Sequence, residues 1–107
     1  MKYLDKDNYE IDLTEDRWKH IIYFHPEMGY ELNFIIETLK DPDLIQSGNR
    51  DELLSIKRFE KTPVSYGKFC VVVYKKISEK KAGFIITSYF SGRLSKNRKV
   101  LWEKHWK

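Results

Sequence analysis

The sequence predicts an α+β domain in which two N-terminal helices cover one face of an antiparallel β-sheet. Three observations predict it. Apolar residues recur at helical spacing only between Thr14 and Lys40. Beyond Ser47 the apolar residues alternate or run together in short β-branched and aromatic stretches, the pattern of strands. A turn-rich link of Lys75 to Gly83 joins the two strongest of these stretches, which favours an antiparallel hairpin over a parallel crossover.

In chain order, Met1 to Asp7 is polar and is expected to be loose. Tyr9, Ile11 and Leu13 alternate with Glu10 and Asp12 as a short half-buried strand does. Thr14 has the side chain of a helix N-cap, and Glu15 and Asp16 complement the positive end of the helix that follows, over about Glu15 to His25. Trp18, Ile21, Ile22 and His25 form its inward stripe, and Pro26 ends it. Gly29 permits a turn into a second helix from about Tyr30 to Lys40, with Leu32, Ile35, Ile36 and Leu39 inward and Asp41-Pro42-Asp43 as its stop. Leu44 and Ile45 are a brief apolar return, and Ser47-Gly48-Asn49 is a turn.

Leu53 to Phe59 reads as a strand with Leu54 and Ile56 on one face, followed by a loop over residues 62–67. Phe69 to Tyr74 is almost wholly apolar and is expected to be a central strand buried on both faces; Phe84 to Phe90 is its partner. Thr87 and Tyr89 then share one face with Ile85, opposite Ile86, Ser88 and Phe90. The basic tail from Arg93 to Lys107 fits either a short helix or an extended arm. At 107 residues the chain is expected to form a single domain, with its core at about 9–104.

Charge is unevenly placed. Residues 1–53 carry six Lys/Arg and thirteen Asp/Glu, a net of −7, whereas residues 54–107 carry fourteen and three, a net of +11. A basic half of that size suits an anionic partner, nucleic acid first, although a solvated lysine-rich face has the same composition. One cysteine, Cys70, excludes an internal disulfide and a multi-cysteine zinc site. It lies in an apolar run and reads as a small buried hydrophobe. With no secretory signal and no apolar run long enough to span a bilayer, a cytoplasmic location without membrane association is expected.

The chemistry-bearing residues centre on the first helix. Arg17 and His20 are three apart and share a face, and Lys19 adjoins them. A guanidinium grips phosphate in a fixed fork, and an imidazole moves protons near neutral pH. Spacing of five puts His20 and His25 on different faces, so a metal site is not expected, and His25 reads as a packed, structural histidine. Thr87 and Tyr89 carry hydroxyls that can orient an imidazole or hydrogen-bond a phosphate, although a strand former and a core-edge aromatic account for them as well. Lys57, Arg58, Arg93, Arg98 and Lys99 are candidates for following a nucleic-acid backbone.

Four segments in order, Thr14-Glu15-Asp16-Arg17-Trp18-Lys19-His20-Ile21 with His25-Pro26-Glu27, then Thr38 to Asp43, Val71 to Lys75, and Gly83 to Phe90, resemble a phage-associated nuclease family of the barnase, EndoU, colicin D and RelE-like (BECR) group. The resemblance implies two helices on an antiparallel sheet and a metal-independent endoribonuclease without a cofactor. The activity it implies is that of a phage or mobile-element toxin cleaving tRNA or mRNA to leave a 2′,3′-cyclic phosphate. It assigns catalysis to His20, Arg17 and Thr87, and substrate binding to Lys19 and Tyr89; Arg93, Arg98 and Lys99 join these as RNA contacts from their charge alone. Thr87 stands where the group's pattern has Ser, and Tyr89 where it has Trp. RNA is then the expected partner, and an acidic antitoxin or immunity protein a second one. The alternative is a non-catalytic RNA- or protein-binding domain of the same fold.

Overall fold

The computed structural model describes residues 1–30, 32–65 and 67–105. The expectations that touch Glu31 in the second helix, Tyr66 in a loop, and Trp106 and Lys107 in the tail lie outside the described residues. The elements are β1 (Lys2–Leu4), β2 (Glu10–Asp12), α1 (Glu15–Phe24), a 3-10 turn (Pro26–Tyr30), α2 (Asn33–Lys40), β3 (Leu44–Ser47), β4 (Leu53–Arg58), β5 (Phe69–Ile77), a second 3-10 turn (Ser78–Lys80), β6 (Ala82–Ser91) and β7 (Val100–Glu103). The strands form one sheet of seven, in the order β1-β2-β6-β5-β4-β3-β7.

The α+β class is as expected, but the sheet is mixed rather than antiparallel. β2 runs parallel to β6, with Ile11 opposite Gly83, and the other neighbours are antiparallel. Gly83 lets β6 fit there between β5 and β2. A Cβ there would sit 2.2 Å from the Lys75 carbonyl oxygen and 2.9 Å from Ile11 Cδ1.

Both helices lie on one face. Thr14 caps α1 as its residue type requires, its Oγ1 accepting from the Arg17 N–H at 3.1 Å. The helix ends at Phe24, where the His25 N–H still reaches the Ile21 carbonyl at 2.7 Å and Pro26 has no N–H to continue. α2 begins three residues later than expected, because Pro26–Tyr30 winds as a 3-10 turn. Ile21, Met28, Ile35 and Leu39 meet Cys70, Val72, Tyr74, Ile85 and Phe90 in the principal core. Ser55, also on this face, donates its hydroxyl to the Thr38 carbonyl at 2.6 Å.

The N-terminal segment, expected to be loose, is strand β1. A buried carboxylate holds it: Asp5 Oδ1 accepts from the N–H groups of Asp7 and Tyr9, both at 2.9 Å, closing a tight turn into β2. The apolar return at Leu44 is β3, and the tail's extended part is β7, paired to it.

The register between β5 and β6 slips by one residue between Val73 opposite Thr87 and Tyr74 opposite Ile85. This bulge corrects the expected facing of β6. Ile85 turns into the helix-side core with Phe90, whereas Ile86 and Tyr89 pack on the other face, and Thr87 is paired with Val73 of that same face. That second face has its own apolar cluster, Leu54, Ile56, Val71 and Val73, edged by Leu44, Phe69, Ile86, Tyr89 and Leu94. Among the described residues no helix packs on it; it is called the open face below.

Candidate nucleic-acid interface

The inward stripe of α1 decides what the helix presents to solvent. Ile21 is buried and Trp18 packs against the core, so Arg17, Lys19, His20, Tyr23 and Phe24 fall on the remaining arc. Arg17 and His20 come together as their spacing requires. With Thr14 and Asp16 they line an open depression of about 270 Å³. The His20 ring lies against Phe24, centroids 4.8 Å apart. Lys19 is held 3.7 Å from Glu15 in an exposed pair, which contributes little to stability.

Thr87 and Tyr89 lie apart from that depression, on β6. Tyr89 walls a second cavity, of about 260 Å³, on the open face. Its floor is apolar, from Leu54, Ile56 and Val71, and its rim carries Arg93 and Arg98. Thr87, two residues back along the strand, is half-buried and is not part of the cavity wall. Lys99 is exposed beside β7, its carbonyl accepting from the Ser47 N–H at 2.8 Å.

The cavity is built by the segment between β6 and β7 folding back over the open face. Gln46, almost wholly buried on β3, donates from Nε2 to the Ser95 carbonyl at 3.0 Å and pins that segment down. Arg98 donates from Nη1 to the Ser47 carbonyl at 3.3 Å, which orients its guanidinium at the rim. Arg93 is held through its backbone: Ser91 Oγ donates to the Arg93 carbonyl at 2.6 Å, and the Arg93 N–H donates back at 3.3 Å. Burial raises the Tyr89 phenol above its ordinary pKa, and the nearby Arg98 charge opposes that without cancelling it. The phenol is therefore a neutral hydrogen-bond donor at physiological pH.

His25 also belongs here. At the C-terminal end of α1 its ring meets that of Tyr89, centroids 5.7 Å apart and 36° between planes. The structure thus divides the residues singled out from the sequence into two groups. Arg17, Lys19 and His20 sit on the outer face of α1; Thr87, Tyr89, Arg93 and Arg98 sit on or beside the open face, with His25 as the imidazole that touches Tyr89. Gln46 and Ser47 were not visible as site residues, because their role comes from pairing with residues about fifty positions away. The i+7 spacing of His25 from Trp18 carried the signal that it faces inward.

Among the described residues, no group of three or more His, Cys, Asp or Glu side chains is placed to hold a metal ion. No helix among them is long and apolar enough to cross a membrane. The chain is thus an α+β domain whose open sheet face bears a basic, aromatic-walled cavity. No family model, no curated protein and no solved structure matches it.

Proposed function

We propose that this chain is a metal-independent endoribonuclease that takes single-stranded RNA across the open face of its sheet. The observation that carries the reading is the cavity in which Tyr89 faces Arg93 and Arg98 over an apolar floor. Each part of an unpaired nucleotide finds its chemistry there. An unstacked base gains by lying on an aromatic ring and apolar side chains, and guanidinium forks suit phosphate oxygens. A cavity of about 260 Å³ is too small for a duplex and takes one splayed nucleotide. The basic segment beside the cavity, with Arg93, Lys96, Arg98 and Lys99, adds attraction for phosphate.

Cleavage needs a group that takes the proton of the 2′-hydroxyl as it attacks the adjacent phosphorus, breaking the bond to the 5′-oxygen, which leaves with a proton from water. The products are a 2′,3′-cyclic phosphate and a 5′-hydroxyl. His25 does not itself line the cavity, but its ring meets that of Tyr89, which does, so it is assigned this step, with Arg98 stabilising the charge that develops on phosphate. The family resemblance assigns the same step to His20, with Arg17 and Thr87.

One assay separates the assignments. Unstructured RNA is incubated with purified protein in EDTA, and the ends of the products are identified. His25→Gln should lower the rate about a hundredfold to ten-thousandfold while leaving RNA affinity intact. Arg93→Ala with Arg98→Ala should weaken binding itself. Full activity in the His25 variant together with loss in His20→Ala would move the reaction to the outer face of α1. Salt-dependent binding without cleavage by the unchanged protein would leave the second reading, an RNA-binding domain, which the same cavity supports.

A further inference from the structure

The outer face of α1 carries a feature that the cavity leaves unexplained. Tyr23 and Phe24 are 78% and 60% exposed, the two most exposed large hydrophobic residues described. Single exposed apolar residues are ordinary, but adjoining ones mark a contact surface. Here three rings form a continuous ridge: His20 lies on Phe24 at 4.8 Å, and Phe24 meets Tyr23 edge-on at 5.0 Å. Spacings of three and four residues put Tyr23 and Phe24 beside His20 on one side of the helix. Nothing in the fold requires the ridge, since the core is filled by Ile21 and Trp18 from the opposite side.

We infer that this ridge is a second stacking site for the same RNA strand, taking bases that flank the nucleotide in the cavity. The inference rests on the RNA reading above and extends it. Two observations select RNA over a protein partner. The ridge is flanked by cations, with Arg17 sharing the depression of His20 and Lys19 held only by an exposed, easily broken pair. It also ends next to a residue that touches the cavity wall: Phe24 is followed by His25, whose ring meets that of Tyr89 at 5.7 Å. From Arg17 to Phe24 the ridge runs about 10 Å along the helix. Asp16 shares the depression with Arg17 and, with Glu15, repels phosphate, so the path ends at Arg17. The strand therefore leaves the cavity past His25, stacks on Phe24 and Tyr23, and carries its phosphates toward Arg17.

The test uses fluorescence anisotropy with two labelled 2′-O-methyl uridine oligonucleotides, which the protein cannot cleave: a trimer sized to the cavity and a dodecamer able to reach the ridge. Tyr23→Ala with Phe24→Ala should weaken dodecamer binding about tenfold and leave the trimer unchanged. Tyr23→Phe with Phe24→Tyr, which keeps both ring faces, should restore dodecamer affinity. Both side chains point to solvent, so a thermal melt should show the fold intact. Unchanged dodecamer affinity in the double alanine variant, with the unchanged protein binding normally, overturns the inference while sparing the cavity. So does a shift in sedimentation of the protein alone, which would make the ridge a contact between copies. Failure of the unchanged protein to bind either oligonucleotide overturns the RNA reading and this inference with it.

Discussion

Replacing Lys76 by Met tests how the N-terminal strands are held to the sheet. Asp5 is fully buried. Its Oδ2 lies 3.0 Å from Lys76 Nζ and accepts from the Tyr74 hydroxyl at 3.3 Å, while Oδ1 accepts from two backbone N–H groups of the β1–β2 turn. Lys76 also reaches Asp7 Oδ2 at 2.9 Å and stands 4.5 Å from the centre of the Tyr9 ring. Burial pulls the Lys76 pKa down, but its hydrogen bonds to Asp7 and Asp5 outweigh that and raise it. Methionine keeps the volume and removes the charge, leaving the Asp5 carboxylate buried without its cation. Breaking a buried pair from one side costs about 3–5 kcal/mol. The three hydrogen bonds that Asp5 retains place this case at the lower end, about 3 kcal/mol, or about 15 °C in Tm for a domain of this size. Urea and thermal unfolding followed by circular dichroism give the value. A loss under about 1 kcal/mol, the range of an exposed pair, would refute the reasoning. Adding Asp5→Asn to the variant should recover part of the loss, because the stranded charge is then gone.

Three further outcomes follow from single sites. Gly83→Ala should destabilise by about 3 kcal/mol in the same unfolding experiments, since its Cβ meets the Lys75 backbone oxygen of β5, which cannot rotate away; a change below about 1 kcal/mol would contradict the close approach of β5 and β6 there. Cys70, fully buried with its thiol pushed up to about 11 by desolvation, should resist a disulfide reagent at pH 8 until urea unfolds the chain, and rapid labelling of native protein would contradict its burial. Hydrogen bonds from Lys76 and then Lys6 depress the pKa of Asp7, and hydrogen bonds from Lys104 and then Lys57 depress that of Asp41. Carboxylates depressed in the folded state stabilise it above their unfolded value of about 3.9, and that contribution is lost as pH falls through the folded value. Tm should therefore drop below about pH 4, and an acid limb that stays flat there would contradict these pairings.

What the sequence disclosed and what it hid separate along physical lines. α1 was legible because its signals are local: Thr14 at the cap, apolar residues at helical spacing, and Pro26 at the end. The β5–β6 hairpin was legible because a long apolar run needs a partner and a short link supplies one. β1, β3 and β7 were not. Each is three or four residues long, too short to show a period, and each exists through pairing with a distant segment, as β3 does with β7. The shared face of Thr87 and Tyr89 followed from their spacing of two, but Ile85 was misplaced because a bulge is a property of the pair of strands rather than of either alone. For the site, Arg93, Arg98 and Tyr89 were named from residue type, whereas the cavity that joins them depends on Gln46 and Ser47 anchoring the 91–99 segment.

The central claim is that RNA lies on the open face, in the cavity of Tyr89, Arg93 and Arg98. Backbone amide chemical shifts of labelled protein, followed by NMR as 2′-O-methyl uridine trinucleotide, which cannot be cleaved, is added at low salt, test it most directly. The account predicts that the perturbed amides cluster at Gln46, Val71, Tyr89, Ser91, Leu94 and Arg98, and that the shifts weaken as salt rises. Perturbation confined to Arg17, His20 and their neighbours on the outer face of α1, with the open face silent, would contradict it.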